Sequence, residues 1–158
     1  MSHSSFEPAA VEGPGIAAPH DSRRRPIDPS RPVGGAAGGL YGSVADFTLL
    51  LAVYARRGRP VLGEAAFSAM TTAVAPVDMK GVTGASHGLD HGVHRTKSGG
   101  TVVFRSGGNF GYLAYFVVAL DTGSGMVVVS NSGEAVPVLS AVVAAWGEVA
   151  EVDLPPLY

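Results

Sequence analysis

The chain has 158 residues, 46% of them apolar and 15% charged, with a formal net charge of -2. That length suits one domain and that apolar share suits a core, so wholesale disorder is excluded. The charge balance removes the simplest argument for a nucleic-acid partner, a strongly basic surface, and the lack of cysteine excludes disulfides, thiolate metal sites and a Cys nucleophile.

The chain opens Met1-Ser2-His3-Ser4-Ser5-Phe6-Glu7-Pro8, with no basic n-region or apolar h-region, so no signal peptide is visible and the compartment stays open. No apolar run approaches the roughly 18 residues of a membrane span. Six of the 11 prolines lie before position 33: Pro8, Pro14, Pro19, Pro26, Pro29 and Pro32. Each fixes its own φ and pushes its predecessor away from helix. Residues 1–39 therefore read as a Pro/Gly-rich loop region, set apart from residues 40–158. The run Arg23-Arg24-Arg25 within it reads as a solvated loop tip, with a patch for an anionic partner as the alternative.

From Ser43 the pattern changes. Ser43 is a suitable N-cap with Asp46 three residues on, a capping box with Asp in place of Glu. Phe47, Leu50, Leu51 and Tyr54 then follow helical spacing. The helix should end near Arg56-Arg57-Gly58. A second, shorter helix is predicted from Gly63 to Val74, with Ala66, Phe67 and Met70 on one side and Pro76 ending it. Strands are predicted over Val93–Thr96 and Thr101–Arg105, joined by the turn Lys97-Ser98-Gly99-Gly100. Tyr112–Leu120 is a long aromatic and β-branched run, and Asp121 to Gly125 form the next turn. Met126–Ser130 is nearly all apolar and is expected to be buried on both faces. A closing helix is predicted over Ser132–Val149, starting at Ser132 or Gly133, with Val138, Leu139, Val142, Val143 and Trp146 as its apolar stripe. The predicted class is α+β: two helices, an antiparallel sheet of the later strands, and a C-terminal helix closing it.

Three segments carry a resemblance. They are Ala36-Ala37-Gly38-Gly39-Leu40-Tyr41-Gly42-Ser43-Val44-Ala45-Asp46-Phe47, Arg105-Ser106-Gly107-Gly108-Asn109-Phe110-Gly111-Tyr112, and Met126-Val127-Val128-Val129-Ser130-Asn131-Ser132. In this order they resemble the carboxy-terminal half of the serine β-lactamase and penicillin-binding-protein family, in particular its class C-like hydrolases and esterases. The second segment resembles the family's third catalytic motif, written K-T-G in lactamases and H-x-G in many esterase-like members. The resemblance spans roughly residues 36–147, and Met1 to Phe6 resemble a stretch found inside longer members. It implies an incomplete β-lactamase/transpeptidase-like fold, with residues 40–158 as the carboxy-terminal part of the domain. It also implies Arg105, Ser106, Gly107, Gly108 and Asn109 as substrate-facing residues. The family's oxyanion-hole N–H maps to the neighbourhood of Asn109 to Gly111, with no single residue assigned.

The chemistry of the family needs Ser-x-x-Lys, in which the lysine helps to activate the serine. No serine here has Lys three residues later, and Ser22 with Arg25 comes nearest. No Tyr has Asn two residues on, and Ser130-Asn131-Ser132 does not fit the serine form of that second motif. The chain thus offers no catalytic residue for acylation. Arg105 stands at the cationic or imidazole position of the third motif. An arginine can bind a carboxylate bidentately but cannot serve as a base at neutral pH.

Other motifs are expected to be incidental. Lys97-Ser98-Gly99 matches K-S-G literally, but reads as a hairpin turn. His87, His91 and His94 suggest a metal cluster. On one strand, however, His87 and His91 would share a face and His94 would lie opposite, so no metal site and no cofactor is expected. Gly34-Gly35-Ala36-Ala37-Gly38-Gly39 lacks the strand and Gly-Lys-Ser/Thr of a phosphate loop and is expected to permit tight backbone packing.

Two readings follow. The first is a fragment of a β-lactamase-related serine hydrolase, inactive alone, whose full-length relatives open a lactam, ester or D-amino-acid peptide. Its partner would be a small-molecule or peptide substrate. The second is a non-catalytic binding fragment that pairs with a separate amino-terminal half or with itself.

Overall fold

The computed structural model describes residues 1–6, 16–28, 35–77, 85–89 and 91–154. Pro8, Pro14, Pro29, Pro32 and Gly34, which figured in the loop reading, lie outside them. Strand β1 (Ser4–Ser5) pairs antiparallel with β2 (Tyr41–Gly42), a small sheet that the loop reading did not foresee. Helix α1 (Val44–Ala55) starts as its sequence requires: the Ser43 hydroxyl accepts from the Asp46 N–H at 3.1 Å. It stops at Arg56, beyond which Arg57 and Gly58 take positive φ of 54° and 92°. Gly58 is required there, because a Cβ would meet Leu62 and Phe67 at 3.0 Å. Helix α2 (Glu64–Thr71) follows.

Among the described residues the main sheet has six antiparallel strands in sequence order. They are β3 (Ala75–Pro76), β4 (Ala85–His87), β5 (Gly92–Arg95), β6 (Thr101–Asn109), β7 (Tyr112–Ala119) and β8 (Gly125–Ser130). Alternation along the strands sorts their side chains into two cores. Val93, Val103, Val118 and Leu120 face α1 and α2, where Leu51, Tyr54 and Phe67 meet them. Val102, Tyr115, Val117 and Ala119 face helix α3 (Val136–Val149), which supplies Leu139 and Val143. The result is three layers, helices on both faces of one antiparallel sheet, as the α+β reading requires. No helix among the described residues is long and apolar enough to cross a membrane.

Several boundaries differ from expectation, each for a physical reason. α2 ends at Thr71 instead of Val74, because Thr72 is already extended at ψ 134° and the next residues pair as β3 with β4. α3 begins at Val136 instead of Ser132 or Gly133. Ser132 to Glu134 form a turn in which the Ser132 hydroxyl accepts from the Glu134 N–H at 3.3 Å, and Pro137 suits the first turn of the helix. Only part of the predicted α3 stripe is covered: Leu139 and Val143 are buried and Trp146 is half-buried, whereas Val138 and Val142 are 62% and 41% exposed. β8 is not buried on both faces. Among the described residues it is the last strand of the sheet, half-buried at Met126 to Val128 and at Ser130, with Val129 42% exposed. β6 continues past Arg105 to Asn109, because β7 pairs with it from Val102 through Asn109.

Candidate functional site

β6 is flanked unequally. Its first residues lie between two neighbours: β5 pairs with Thr101 to Phe104 and β7 pairs with Val102 to Asn109. The β5 ladder stops at Gly92 opposite Phe104, where a side chain on Gly92 would run into the Phe104 ring. From Arg105 to Asn109 the strand therefore has a ladder partner on the β7 side only, among the described residues. Alternate N–H and C=O groups of this stretch point away from β7. Arg105, Ser106, Gly107 and Gly108 are exposed and Asn109 is half-buried. A Cβ on Gly107 would meet nothing within 4 Å. The five residues singled out from sequence thus sit together as one open strand edge.

The register also assigns faces. Arg105 is paired with Phe116 on the α1 side of the sheet, where Tyr54 packs on Phe116 at 5.5 Å. Ser106 pairs with Tyr115 on the α3 side. Beyond Asn109 the chain reverses in two residues, Phe110 and Gly111, with φ of 39° and 82°. Two positive φ values are the signature of a type I′ hairpin, whose twist matches that of the strands it joins. Phe110 is strained there, because bulky residues avoid positive φ.

The loop region packs against this end of the sheet. The Asn109 amide donates to the Gly38 carbonyl at 3.3 Å, which ties the glycine-rich turn at Gly35–Ala37 to the end of β6. Tyr112, paired with Asn109, donates its hydroxyl to the Ala17 carbonyl at 2.8 Å and packs edge-on to Tyr41, with ring centroids 6.4 Å apart. Burial raises the Tyr112 hydroxyl above its usual pKa of 10.0, and Tyr41 adds to the shift. Asn131 donates to the Ala18 carbonyl at 2.8 Å, and its own carbonyl accepts from the His20 N–H at 2.9 Å. The His20 backbone passes so close to Gly111 that a Cβ on Gly111 would lie 2.6 Å from the His20 carbonyl. Arg25 of the basic run is held by Asp21 at 2.7 Å, while Arg23 and Arg24 are exposed. Asp46 is buried and accepts from the Ser4 hydroxyl at 2.7 Å and the His3 N–H at 2.8 Å. The Ser4 hydrogen bond above all holds its carboxyl below the usual range. The sequence reading placed Tyr41 and Tyr112 in the resembling segments but did not single them out for the site, and it did not foresee the turn at Phe110-Gly111. Asn-x-Gly between two strong strands was the available signal for the turn.

Lys97 lies in the β5–β6 turn, as expected, with its ammonium 3.6 Å from Asp153. The histidines are arranged differently from the single-strand expectation. His87 is on β4 paired with Gly92, whereas His91 precedes β5 and packs on Tyr54 at 5.6 Å. The chain turns between them, which puts His87 on the α3 side with His94 and His91 on the α1 side. His94 Nε2 lies 3.8 Å from Asp153.

A family model described as Beta-lactamase matches residues 1–147 of this sequence. The chain belongs to the β-lactamase family. Membership thus takes in the first 35 residues, where the sequence resemblance was loosest. Among solved structures, this β-lactamase-family chain is similar to the octameric penicillin-binding protein homologue from Pyrococcus abyssi. That likeness has a TM-score of 0.73 and 22% identity, and covers 91% of this chain and 34% of the other. The chain is also similar to a D-stereospecific amidohydrolase from Streptomyces sp., with a TM-score of 0.66 and 20% identity, over 89% of this chain and 43% of the other. The shared fold is therefore carried here in part, over less than half the length of either neighbour. No curated relative matches the sequence.

Proposed function

We propose that this chain supplies the substrate-binding edge of a β-lactamase-related serine hydrolase acting on a lactam, ester or D-amino-acid peptide. We further propose that it carries out no acyl transfer by itself. The observation behind the reading is the open stretch of β6 from Arg105 to Asn109, exposed from Arg105 to Gly108 and, among the described residues, with a ladder partner on the β7 side only. An extended, amide-bearing substrate can add to such an edge through its own backbone-like N–H and C=O groups. Gly107 and Gly108 present no side chain to keep it at a distance. Arg105, at the start of the edge, offers a guanidinium to a substrate carboxylate, a charge-assisted pairing. The fold shared with a D-stereospecific amidohydrolase is in keeping with a D-amino-acid amide or peptide. The sequence contains neither Ser-x-x-Lys nor Tyr-x-Asn, so the acyl acceptor would come from another polypeptide segment.

The experiment joins the chain to an amino-terminal half taken from a relative and measures hydrolysis of an anionic and a neutral substrate. Arg105→Ala should weaken the anionic substrate by about 1.5–3 kcal/mol, the range for a hydrogen bond to a charged group, and leave the neutral one nearly unchanged. Arg105→His should shift the preference toward neutral esters, since imidazole is mostly uncharged at neutral pH. Equal small effects on both substrates would reduce Arg105 to a surface residue. The chain alone should take no label from a fluorophosphonate, and stoichiometric labelling of one serine would overturn the claim of inactivity.

A further inference from the structure

The turn Phe110-Gly111 is held from outside itself. Asn109 before it is tied to Gly38, Tyr112 after it is tied to Ala17, and the His20 backbone lies against Gly111. Between these ties the chain reverses with positive φ at both turn residues, 39° and 82°. Gly111 takes that conformation without strain, and its site has no room for a side chain. Phe110 is the anomaly. The first position of such a turn favours Asn, Asp or Gly, and a bulky residue there is an outlier. Nor is Phe110 a core residue, since 43% of it is exposed. A ring that served only to pack can be carried at an unstrained position of β6 or β7. Strain of this kind is concentrated at active sites and ligand clamps, and Phe110 follows directly on the open stretch of β6.

We propose that Phe110 is a specificity-determining residue of the substrate edge, whose ring receives an aromatic or large aliphatic group of a peptide-like substrate. The inference rests on the substrate-edge reading and adds to it a preference at the end of the edge remote from Arg105. Arg105 and Asn109 stand about 14 Å apart along the strand, at roughly 3.4 Å per residue, and Phe110 lies just beyond. A substrate that engages both ends is therefore a peptide of about four or five residues in extended form. Its carboxylate lies at Arg105 and its apolar group at Phe110. Between the two, Gly107 and Gly108 carry no side chain to discriminate. The turn holds the ring still, so little ordering is lost when a ligand group packs on it.

The test uses Phe110→Asn and Phe110→Tyr in two settings. In the 158-residue chain alone, Phe110→Asn should raise the melting temperature by about 2–4 °C, because Asn accepts positive φ. In the protein complemented with an amino-terminal half, hydrolysis of two D-amino-acid peptides is compared. Both carry the same terminal carboxylate, and the residue at the far end is aromatic in one and alanine in the other. Phe110→Asn should raise KM for the aromatic peptide at least about fivefold relative to the alanine peptide, with kcat moving little. Phe110→Tyr, which keeps the ring, should match the parent. Arg105→Ala separates the two ways of failing. If it weakens both peptides while Phe110→Asn acts on both alike or on neither, this inference falls and the substrate edge stands. If Arg105→Ala also leaves both peptides unchanged, the edge reading falls and this inference with it. A lower melting temperature for Phe110→Asn, in the chain alone or in the complemented protein, would make Phe110 a packing residue and overturn the proposal.

Discussion

The two halves of β6 are one unbroken strand with opposite surroundings. Val102 and Val103 are fully buried, and the strand there is paired on both sides and covered by helices on both faces. Arg105 to Gly108 are exposed and, among the described residues, have a ladder partner on the β7 side only. The sequence changes at the same point, from Val-Val-Phe to Arg-Ser-Gly-Gly-Asn. The first half is built to hold the sheet together and to fix the direction of the strand. The second half inherits that direction rigidly and leaves its backbone groups available. A binding edge placed on a rigid strand is held more accurately than one placed on a loop.

Matched substitutions on the two halves sharpen the contrast, and the largest effect is expected for a charge. Val103→Asp puts an unpaired carboxylate into the core and should destabilise by more than about 4 kcal/mol, enough to abolish cooperative melting. Ser106→Asp, three residues on, should stay within about 0.5 kcal/mol of the parent. A thermal melt of each variant checks both, and comparable losses would mean that the second half is packed. Glycine to alanine gives the next effect. Gly92→Ala drives a methyl into the Phe104 ring and should cost about 1–3 kcal/mol as overpacking. Gly107→Ala meets open space and should gain about 0.5–1 kcal/mol, because glycine is poor inside a strand. In the complemented protein the same Gly107→Ala methyl should raise KM, so that stability and binding move in opposite directions. The smallest effect concerns the clasp on β1. The Asp46 carboxyl is lower in the folded chain than its usual 3.8, so its contribution to stability is full above that value and is lost as pH falls through the folded value. Exchange at the His3 amide should quicken as pH is lowered through that range, after correction for the intrinsic rate, and Asp46→Asn should remove the dependence.

Much of this arrangement was legible in the sequence, and the misses share a cause. Ser43 and Asp46 marked the start of α1, and Arg57-Gly58 its end, because caps are local chemistry. Valine-rich runs marked β6, β7 and β8. The end of β6 was misplaced at Arg105, because nothing within Ser106-Gly107-Gly108 favours a strand; β7 holds that stretch in the ladder. Met126 to Ser130 looked doubly buried, because an apolar run does not say whether its strand is central or at an edge. Val138 and Val142 looked like core for a similar reason: α3 offers more apolar residues than one face of a sheet can cover. The tie between Asn109 and Gly38, and the one between Tyr112 and Ala17, join positions 71 and 95 residues apart, and no local pattern announces them.

The most direct measurement is residue-by-residue amide hydrogen exchange along β6, read by NMR at low protein concentration. Val102 and Val103 should exchange only with global unfolding, since the ladder encloses them on both sides. Between Arg105 and Asn109 the pattern should alternate, with amides that face β7 protected and amides that face away exchanging rapidly. Adding a carboxylate-bearing D-amino-acid peptide at high concentration to the complemented protein should slow the outward amides and leave the inward ones unchanged. Uniform protection from Thr101 to Asn109 without ligand would mean that the second half of β6 is already covered, and would contradict the account.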